Sequence, residues 1–291
     1  MRSFHFEENS LKHLGSILHI SKEELTWVLE NIETSFYEYA EYKKDKVTEK
    51  VKTYSDGSPK KRIITRSRAR LRVVQDSIKT NILNRFEKPD HVQGSVKGKS
   101  NISNARIHLG KKFKFTTDLK DFFPTVNTRS VYNVFLSMGF NNHQSRWLTT
   151  YTTFRSRLPQ GSPTSPDLAN MAFIDADIEL LALCKKHDIG YSRYVDDLTF
   201  SSQKSFHHVL PQIARILKEM SFKISYRKTF YKPDQTITGV DVFNNFIDAP
   251  RSIKERAKNE GAVSGLGPIS GYMNRIRKTN SNVKTSRLKR Q

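Results

Sequence analysis

Apolar and polar positions along this chain follow two periods, and the switches between them mark its elements. From Ser21 to Lys44 the apolar positions Leu25, Val28, Leu29, Ile32, Phe36 and Tyr39 follow helical spacing, and Ser21 with Glu24 makes a capping box. One helix is predicted there. The next stretch, Lys43 to Arg72, is basic and is broken by the turn signal Asp56-Gly57-Ser58-Pro59. Lys60, Lys61, Arg62, Arg66, Arg68, Arg70 and Arg72 interleave with Ile63, Ile64, Leu71, Val73 and Val74. That pattern predicts a hairpin with a cationic face, running into a helix from about Leu71 to Phe86. Gly94 to Ser100 reads as a loop.

Period two returns at Phe113 to Leu119, where Phe113, Phe115 and Thr117 alternate with Lys114, Thr116 and Asp118. Thr128 to Met138 reads as helix and Leu158 to Pro166 as a Pro-, Gly- and Ser-rich loop. A helix follows with Leu168, Met171, Ile174, Ile178 and Leu181 on one face. Tyr191 to Ser201 reads as two short strands meeting at Asp196-Asp197. Phe206 to Met220 is amphipathic and Phe222 to Ser225 is a short strand. Strands alternating with helices predict an α+β core. From Arg251 onward eleven cations, among them Lys254, Arg275 and Lys284, oppose only Glu255 and Glu260, which predicts a basic subdomain with a disordered tail from Lys284 to Gln291.

Composition narrows the class. The 291 residues allow one large domain or two to three packed subdomains. Their aromatic share of 11% is too high for a disordered chain. No long apolar run is present to span a membrane, and the segment from Met1 to His13 has no apolar stretch of the kind a secretory signal needs. Cys184 is the one cysteine, so neither an internal disulfide nor a thiolate metal site is available, as expected of a cytoplasmic protein. Lys and Arg number 50 against 29 Asp and Glu, a net charge of +21 that favours a polyanion such as nucleic acid as partner.

In so basic a chain the acids stand out. Asp118 ends an apolar strand, and Asp196 and Asp197 are adjacent at a hairpin tip with no Gly or Asn to ease the turn. Neighbouring carboxylates repel, and a divalent cation resolves the repulsion. Hard Mg²⁺ is held by carboxylates together with substrate phosphates, and two such ions suit phosphoryl transfer.

The residues around these acids carry a resemblance. Tyr194-Val195-Asp196-Asp197 resembles the YxDD motif of reverse transcriptases, Thr117 to Pro124 (TDLKDFFP) their first palm motif, and Leu158 to Pro166 (LPQGSPTSP) their second. Within that family the chain looks most like bacterial retron enzymes. Asn104-Ala105-Arg106-Ile107-His108 resembles their NAxxH element, and Ile237-Thr238-Gly239 their VTG element with Ile in place of Val. Val195 also departs from the Ala common at that place in retron enzymes. The resemblance runs from about Arg62 to about Val242, with a weaker match at Ser270 to Asn274.

It implies an α+β right-hand polymerase: N-terminal helices and fingers over 1–112, a palm over 113–235 with an inserted finger segment about 140–160, and a basic thumb over 236–291. It implies that Asp118 and Asp196 bridge two Mg²⁺ ions, with Mn²⁺ an alternative, that Asp197 supports them and that the Leu119 carbonyl completes one shell. Around the deoxynucleotide it places Arg62 and Lys228 on the triphosphate, Asp121 through its backbone N–H, Phe123 as a steric gate against a 2′-OH with Phe122 beside it, and Gln160 and Gly161 lining the pocket. Asn104, His108, Thr238 and Gly239 are offered as RNA contacts, with a polar pair packing two subdomains as the other reading of Asn104 and His108.

The activity implied is RNA-directed DNA synthesis by a nucleotidyltransferase. The chain would bind a structured noncoding RNA of msr-msd type, prime on an internal RNA 2′-hydroxyl and make branched multicopy single-stranded DNA (msDNA) in anti-phage defence. Its partners would be that RNA and its RNA–DNA product, dNTPs, a defence effector protein and a host RNase H, since no length is left for a nuclease domain. Two alternatives stay open: a non-retron bacterial defence reverse transcriptase, and an RNA-binding scaffold without turnover.

Overall fold

A computed structural model describes residues 11–45, 50–264 and 267–288. The stretch read for a leader lies largely outside them, and so do residues 289–291 of the expected tail. In chain order the elements open with α1 (Leu11–Leu18), α2 (Lys22–Glu30), β1 (Phe36–Tyr42), β2 (Lys61–Ser67), α3 (Ala69–Asn81) and α4 (Asn101–Ile107). Then come β3 (Phe113–Lys120), α5 (Phe122–Thr125), α6 (Thr128–Ser137), α7 (Asn142–Thr152), α8 (Ser165–Ala172) and α9 (Ile174–Lys186). β4 (Gly190–Tyr194), β5 (Asp197–Ser202), α10 (Leu210–Glu219), β6 (Lys223–Ile224) and β7 (Phe230–Lys232) follow. The last are β8 (Gln235–Ile237), β9 (Val240–Val242), β10 (Ile247–Asp248), α11 (Arg251–Ser264) and α12 (Pro268–Leu288).

These elements fall into two compact units. The first takes residues 1–43, 52–89 and 121–177. In it α1, α2 and α7 pack on α3, whose Leu71, Val74 and Ile78 are fully buried. The antiparallel ribbon β1–β2 runs from Phe36↔Ser67 to Tyr42↔Lys61. The second unit takes residues 44–51, 90–120 and 178–291. Its main sheet is antiparallel, in the order β4-β5-β3, with β6 and β7 pairing successive parts of the other edge of β3. Phe115, Tyr191 and Phe200 stack across it, with ring centroids 4.8 Å apart for Tyr191–Phe200. A smaller sheet, β8-β9-β10, shares a core with α4 and α12 built on Ile102, Ala105, Ile237, Val240, Val242, Ile247 and Ile276.

Several expected elements need correction. The helix expected over Ser21 to Lys44 ends at Glu30, although Ser21 does cap it by accepting from the Glu24 N–H. Phe36, Glu38, Ala40 and Tyr42 face one way and Tyr37, Tyr39 and Glu41 the other, a period of two that four aromatics in seven residues favour in a strand. The basic strand β2 pairs along its length with β1, and among the described residues pairing across the Asp56-Gly57 turn is confined to a bridge between Thr53 and Pro59. The helix expected after the loop breaks at Phe173, which resets its phase. α9 buries Ala176, Leu180 and Cys184, leaving Ile178 57% exposed and Leu181 36%. The amphipathic segment from Phe206 begins with a short 3-10 turn, so α10 starts at Leu210. Finally, α12 continues to Leu288, so most of the tail expected to lack structure is helical.

Candidate active site

The acidic cluster is assembled by strand pairing within the second unit. Asp118 on β3 lies directly opposite Asp197 on β5, and the Leu119 N–H donates to the Asp196 carbonyl at 2.9 Å. Two carboxylates opposed on one face of a sheet repel. Lys228 answers that charge: its Nζ donates to Asp118 Oδ2 at 2.5 Å. The backbone puts it there, because the Ser225 N–H donates to the Asp118 carbonyl and the Lys228 N–H to the Ser225 carbonyl, each at 2.8 Å. Partial burial pulls the Lys228 pKa down, but the hydrogen bond and charge of Asp118, with Asp196 and Asp197 adding to them, outweigh burial and hold it above the usual lysine value. Lys228 is thus an ammonium across the physiological range.

The β4–β5 hairpin closes in two residues, with Tyr194↔Asp197 as its last pair. Val195 takes φ +60°, a left-handed conformation unfavourable for a β-branched residue. Its surroundings hold it there. The fully buried Arg193 donates from its guanidinium to the Val195 carbonyl at 3.2 Å. The segment from His91 to Gly94 lies beside β4, with the Gln93 N–H on the Arg193 carbonyl and the Arg193 N–H on the His91 carbonyl, both 2.8 Å. Gly94 meets the turn itself: a Cβ there would lie 2.4 Å from the Val195 nitrogen and 2.7 Å from its Cγ2. Backbone strain of this kind is stored at functional sites. Neither role, of Gly94 or of Arg193, is legible in the sequence. A glycine in a Gly-, Ser- and Lys-rich loop signals a turn, and only the packed neighbour shows that space is what it supplies.

Asn104 and His108 are both fully buried, so neither presents an atom to RNA. They are the middle of a continuous hydrogen-bond chain within the second unit. The Ser192 hydroxyl donates to Asn104 Oδ1 at 2.6 Å, which leaves it to accept from His108 Nε2 at 2.7 Å. In a neutral ring His108 Nδ1 then accepts from the Ser201 hydroxyl, 2.8 Å away. On the other side Asn104 Nδ2 donates to Thr238 Oγ1 at 3.2 Å, and Thr238 Oγ1 to the Asn101 carbonyl at 3.3 Å. Thr238 and Gly239, with φ of +47° and +82°, form the two-residue turn between β8 and β9. The two elements read separately in the sequence are therefore one framework that ties α4, β4, β5 and the β8–β9 turn together. Tyr272 joins it through Asn101 Nδ2 at 2.7 Å.

His108 is neutral within this framework. Burial, with Lys114 and Lys111 adding to it, pushes its pKa down to about 3. The native state therefore resists a proton that the unfolded state accepts near pH 6.5. Stability is complete above that value and declines as pH falls toward the folded pKa, by about 1.4 kcal/mol per unit. Urea unfolding between pH 7 and 4 should show this slope, and a His108→Gln protein should have a shallower one. Equal slopes would place the titration elsewhere.

Of the residues expected around the nucleotide, Lys228 lies in the second unit, and Arg62, Asp121, Phe122, Phe123, Gln160 and Gly161 lie in the first. Arg62 on β2 is about half exposed and pairs with Glu41 on β1. Asp121 has φ +51° and its carbonyl accepts from the Thr125 N–H, which starts α5. Phe122 is buried with its ring edge-on to Phe173, whereas Phe123 keeps part of its ring exposed. Of the two rings, Phe123 is the one available to a ligand. The Gln160 carbonyl accepts from the Thr65 N–H at 2.9 Å. Gly161 has φ +129°, and a Cβ there would lie 2.9 Å from Ile64 Cγ2 and from the Thr65 carbonyl oxygen. The loop thus seats directly on the strand that carries Arg62.

The donor chemistry of Asp118, Asp196, Asp197 and the Leu119 carbonyl suits a hard divalent cation. Among the described residues, however, no three His, Cys, Asp or Glu side chains stand together as a ready chelate, and Lys228 occupies Asp118 Oδ2.

Residues 43–241 match the family model for reverse transcriptase (RNA-dependent DNA polymerase). The chain belongs to this family. Its curated relatives include several bacterial retron reverse transcriptases. The chain is 29% identical over 196 residues to the retron Se72 reverse transcriptase of Salmonella heidelberg, covering 67% of this chain and 48% of that one. Identity to the retron Ec86 reverse transcriptase of Escherichia coli is 34%, over 53% of this chain and 49% of the relative. With the retron Mx162 reverse transcriptase of Myxococcus xanthus it is 35%, over 52% of this chain and 34% of the relative. The chain thus spans about half the length, or less, of these curated relatives. Among solved structures, the foamy viral protease-reverse transcriptase in complex with an RNA/DNA hybrid is similar at 24% identity and a TM-score of 0.39, over 58% of this chain and 21% of that one. The α+β architecture expected of the right-hand polymerases is the one observed. No helix among the described residues is long and apolar enough to cross a membrane.

Proposed function

We propose that this chain is an RNA-directed DNA polymerase of the retron type, acting at Asp118, Asp196 and Asp197. The observation that carries the reading is the opposition of Asp118 and Asp197 across β3 and β5, with the Lys228 ammonium 2.5 Å from Asp118. Asp118, Asp196, Asp197 and the Leu119 carbonyl would hold two Mg²⁺ ions, or Mn²⁺ in their place. When bound, such ions activate an attacking hydroxyl and stabilise a leaving oxygen. The protein's own groups do the rest. Lys228 supplies a counter-charge to the triphosphate and a proton to the leaving pyrophosphate. Arg62 presents a guanidinium fork to phosphate oxygens once released from Glu41. Gln160 and Gly161 would line the nucleotide pocket.

Phe123 stands under the sugar. Replacing it with Ala removes the bulk that excludes a 2′-OH, so ribonucleotide incorporation should rise about tenfold or more relative to deoxynucleotide, the scale of a lost apolar discrimination. Competition between labelled dNTP and rNTP reads the ratio, and an unchanged ratio denies Phe123 this role.

The +21 chain would hold a structured noncoding RNA of msr-msd type, mainly through its basic C-terminal helices α11 and α12. Thr238 and Gly239, at the tip of their hairpin, are proposed as contacts to it. Asn104 and His108 would act only by fixing that tip. Synthesis would start from an internal RNA 2′-hydroxyl and yield branched msDNA, with a host RNase H trimming the template. The setting would be the bacterial cytoplasm, in anti-phage defence with an effector protein. Sequencing the nucleic acid that co-purifies with the chain tests this. A single structured RNA joined to DNA through a branch is expected, whereas RNA of no defined sequence contradicts the retron reading.

A further inference from the structure

A buried amide on α3 joins the parts of the first unit that the proposed function assigns to the nucleotide. Gln75 is fully buried. Its Oε1 accepts from the Ser67 hydroxyl at 2.7 Å and from the Ser162 hydroxyl at 3.0 Å. Its Nε2 donates to the Tyr151 carbonyl at 2.8 Å. Two hydroxyls on one side and a carbonyl on the other fix the orientation of the amide. Ser67 ends β2, the strand that carries Arg62 and whose Thr65 N–H holds the Gln160 carbonyl. Ser162 follows Gly161 directly and is braced from its other side by Thr164 Oγ1 at 3.0 Å. Tyr151 is itself anchored, its hydroxyl donating to the Leu25 carbonyl at 2.9 Å. One side chain therefore bonds the end of the strand, the loop packed on it and the C-terminal turn of α7.

We propose that Gln75 is a positioning residue for nucleotide binding: it holds the Gln160-Gly161 loop in register on β2 and so fixes the spacing of that loop from Arg62. The inference rests on the polymerase reading above. A buried hydrogen-bonding hub sets geometry, because each partner deprived of it is left unsatisfied and moves to find another. Gln75 touches no substrate in this role. Its effect passes through two serine hydroxyls, so either serine should share it.

The test is steady-state deoxynucleotide incorporation by the full chain with its bound RNA, comparing wild type, Gln75→Met, Ser67→Ala, Ser162→Ala and the Gln75→Met/Ser162→Ala double variant. Met keeps the volume and removes all three bonds. The KM for dNTP is expected to rise about tenfold in Gln75→Met with kcat within about twofold, the pattern of lost nucleotide binding. The double variant should be no worse than Gln75→Met alone, since both changes break one hub. A lowered melting temperature with unchanged KM in Gln75→Met overturns the inference and makes the amide purely structural. Should Gln75→Met fail to fold, the serine variants decide: a raised KM in both supports the hub, and wild-type KM in both overturns it. Absence of incorporation by the wild-type chain overturns the polymerase reading itself, which separates that failure from the failure of Gln75.

Discussion

Replacing both turn carboxylates, Asp196→Asn with Asp197→Asn, should abolish DNA synthesis while leaving RNA binding intact. Each substitution keeps size and hydrogen-bonding reach, so the β3–β5 pairing that places Asp197 opposite Asp118 survives. What is lost is charge. Asparagine cannot supply the anionic oxygens that a divalent cation needs. Incorporation should fall by about a thousandfold or more, at or above the upper end for removing a single group that stabilises only the transition state. RNA affinity should stay within about twofold or increase slightly, because the change adds two units to a net charge that is already +21. Filter binding and primer extension on one preparation measure both. Persistent deoxynucleotide incorporation would remove these residues from the chemistry.

The second large effect is expected at Gly94, which takes no part in chemistry. Ala at this position places a methyl 2.4 Å from the backbone nitrogen of Val195, with the carbonyl carbon of Tyr194 only 2.8 Å away. Backbone atoms cannot swing aside as a side-chain end can. Nor can the hairpin slip, because Tyr194↔Asp197 and Asp118↔Asp197 fix its register. The turn must therefore shift, and Asp196 shifts with it. Overpacking of this kind costs about 1–3 kcal/mol, which lowers the melting temperature by several degrees in a chain of this size. A displacement of about 1 Å at the carboxylates reduces turnover by about a hundredfold. The loss of activity should thus exceed the loss of folded protein, and thermal melting alongside extension assays separates the two. A Gly94→Ala protein with wild-type turnover would show that the strained turn does not depend on this contact.

How much of this was legible in the sequence follows from where each signal resides. β3 and the β4–β5 hairpin were visible because period two and a charged pair at the tip are local features. The acids Asp118, Asp196 and Asp197 stood out because the rest of the chain is basic. β1 is ambiguous in sequence because Phe36 and Tyr39 satisfy helical spacing and period two at once, and only its pairing with β2 decides between them. The spacing puts Ile178 and Leu181 on one face with Leu168, and nothing in the composition marks the break at Phe173 that leaves both of them exposed. Asn104 and His108 are polar residues one helical turn apart, a spacing equally suited to a surface and to a satisfied interior; their complete burial excludes the surface. Gly94, Arg193 and Gln75 leave no mark in the sequence for one reason: each works by what it touches from a distant part of the chain, and residue type alone carries no trace of that.

The sharpest single measurement is made on the protein as purified with its own RNA. Labelled deoxynucleotides and Mg²⁺ are added, and the products are resolved before and after ribonuclease treatment. Labelled DNA covalently joined to RNA, formed by the wild-type chain and absent with Asp196→Asn/Asp197→Asn, is the expected result. No labelled DNA from the wild type, or equal labelling by the double variant, would contradict an RNA-directed polymerase built on Asp118, Asp196 and Asp197.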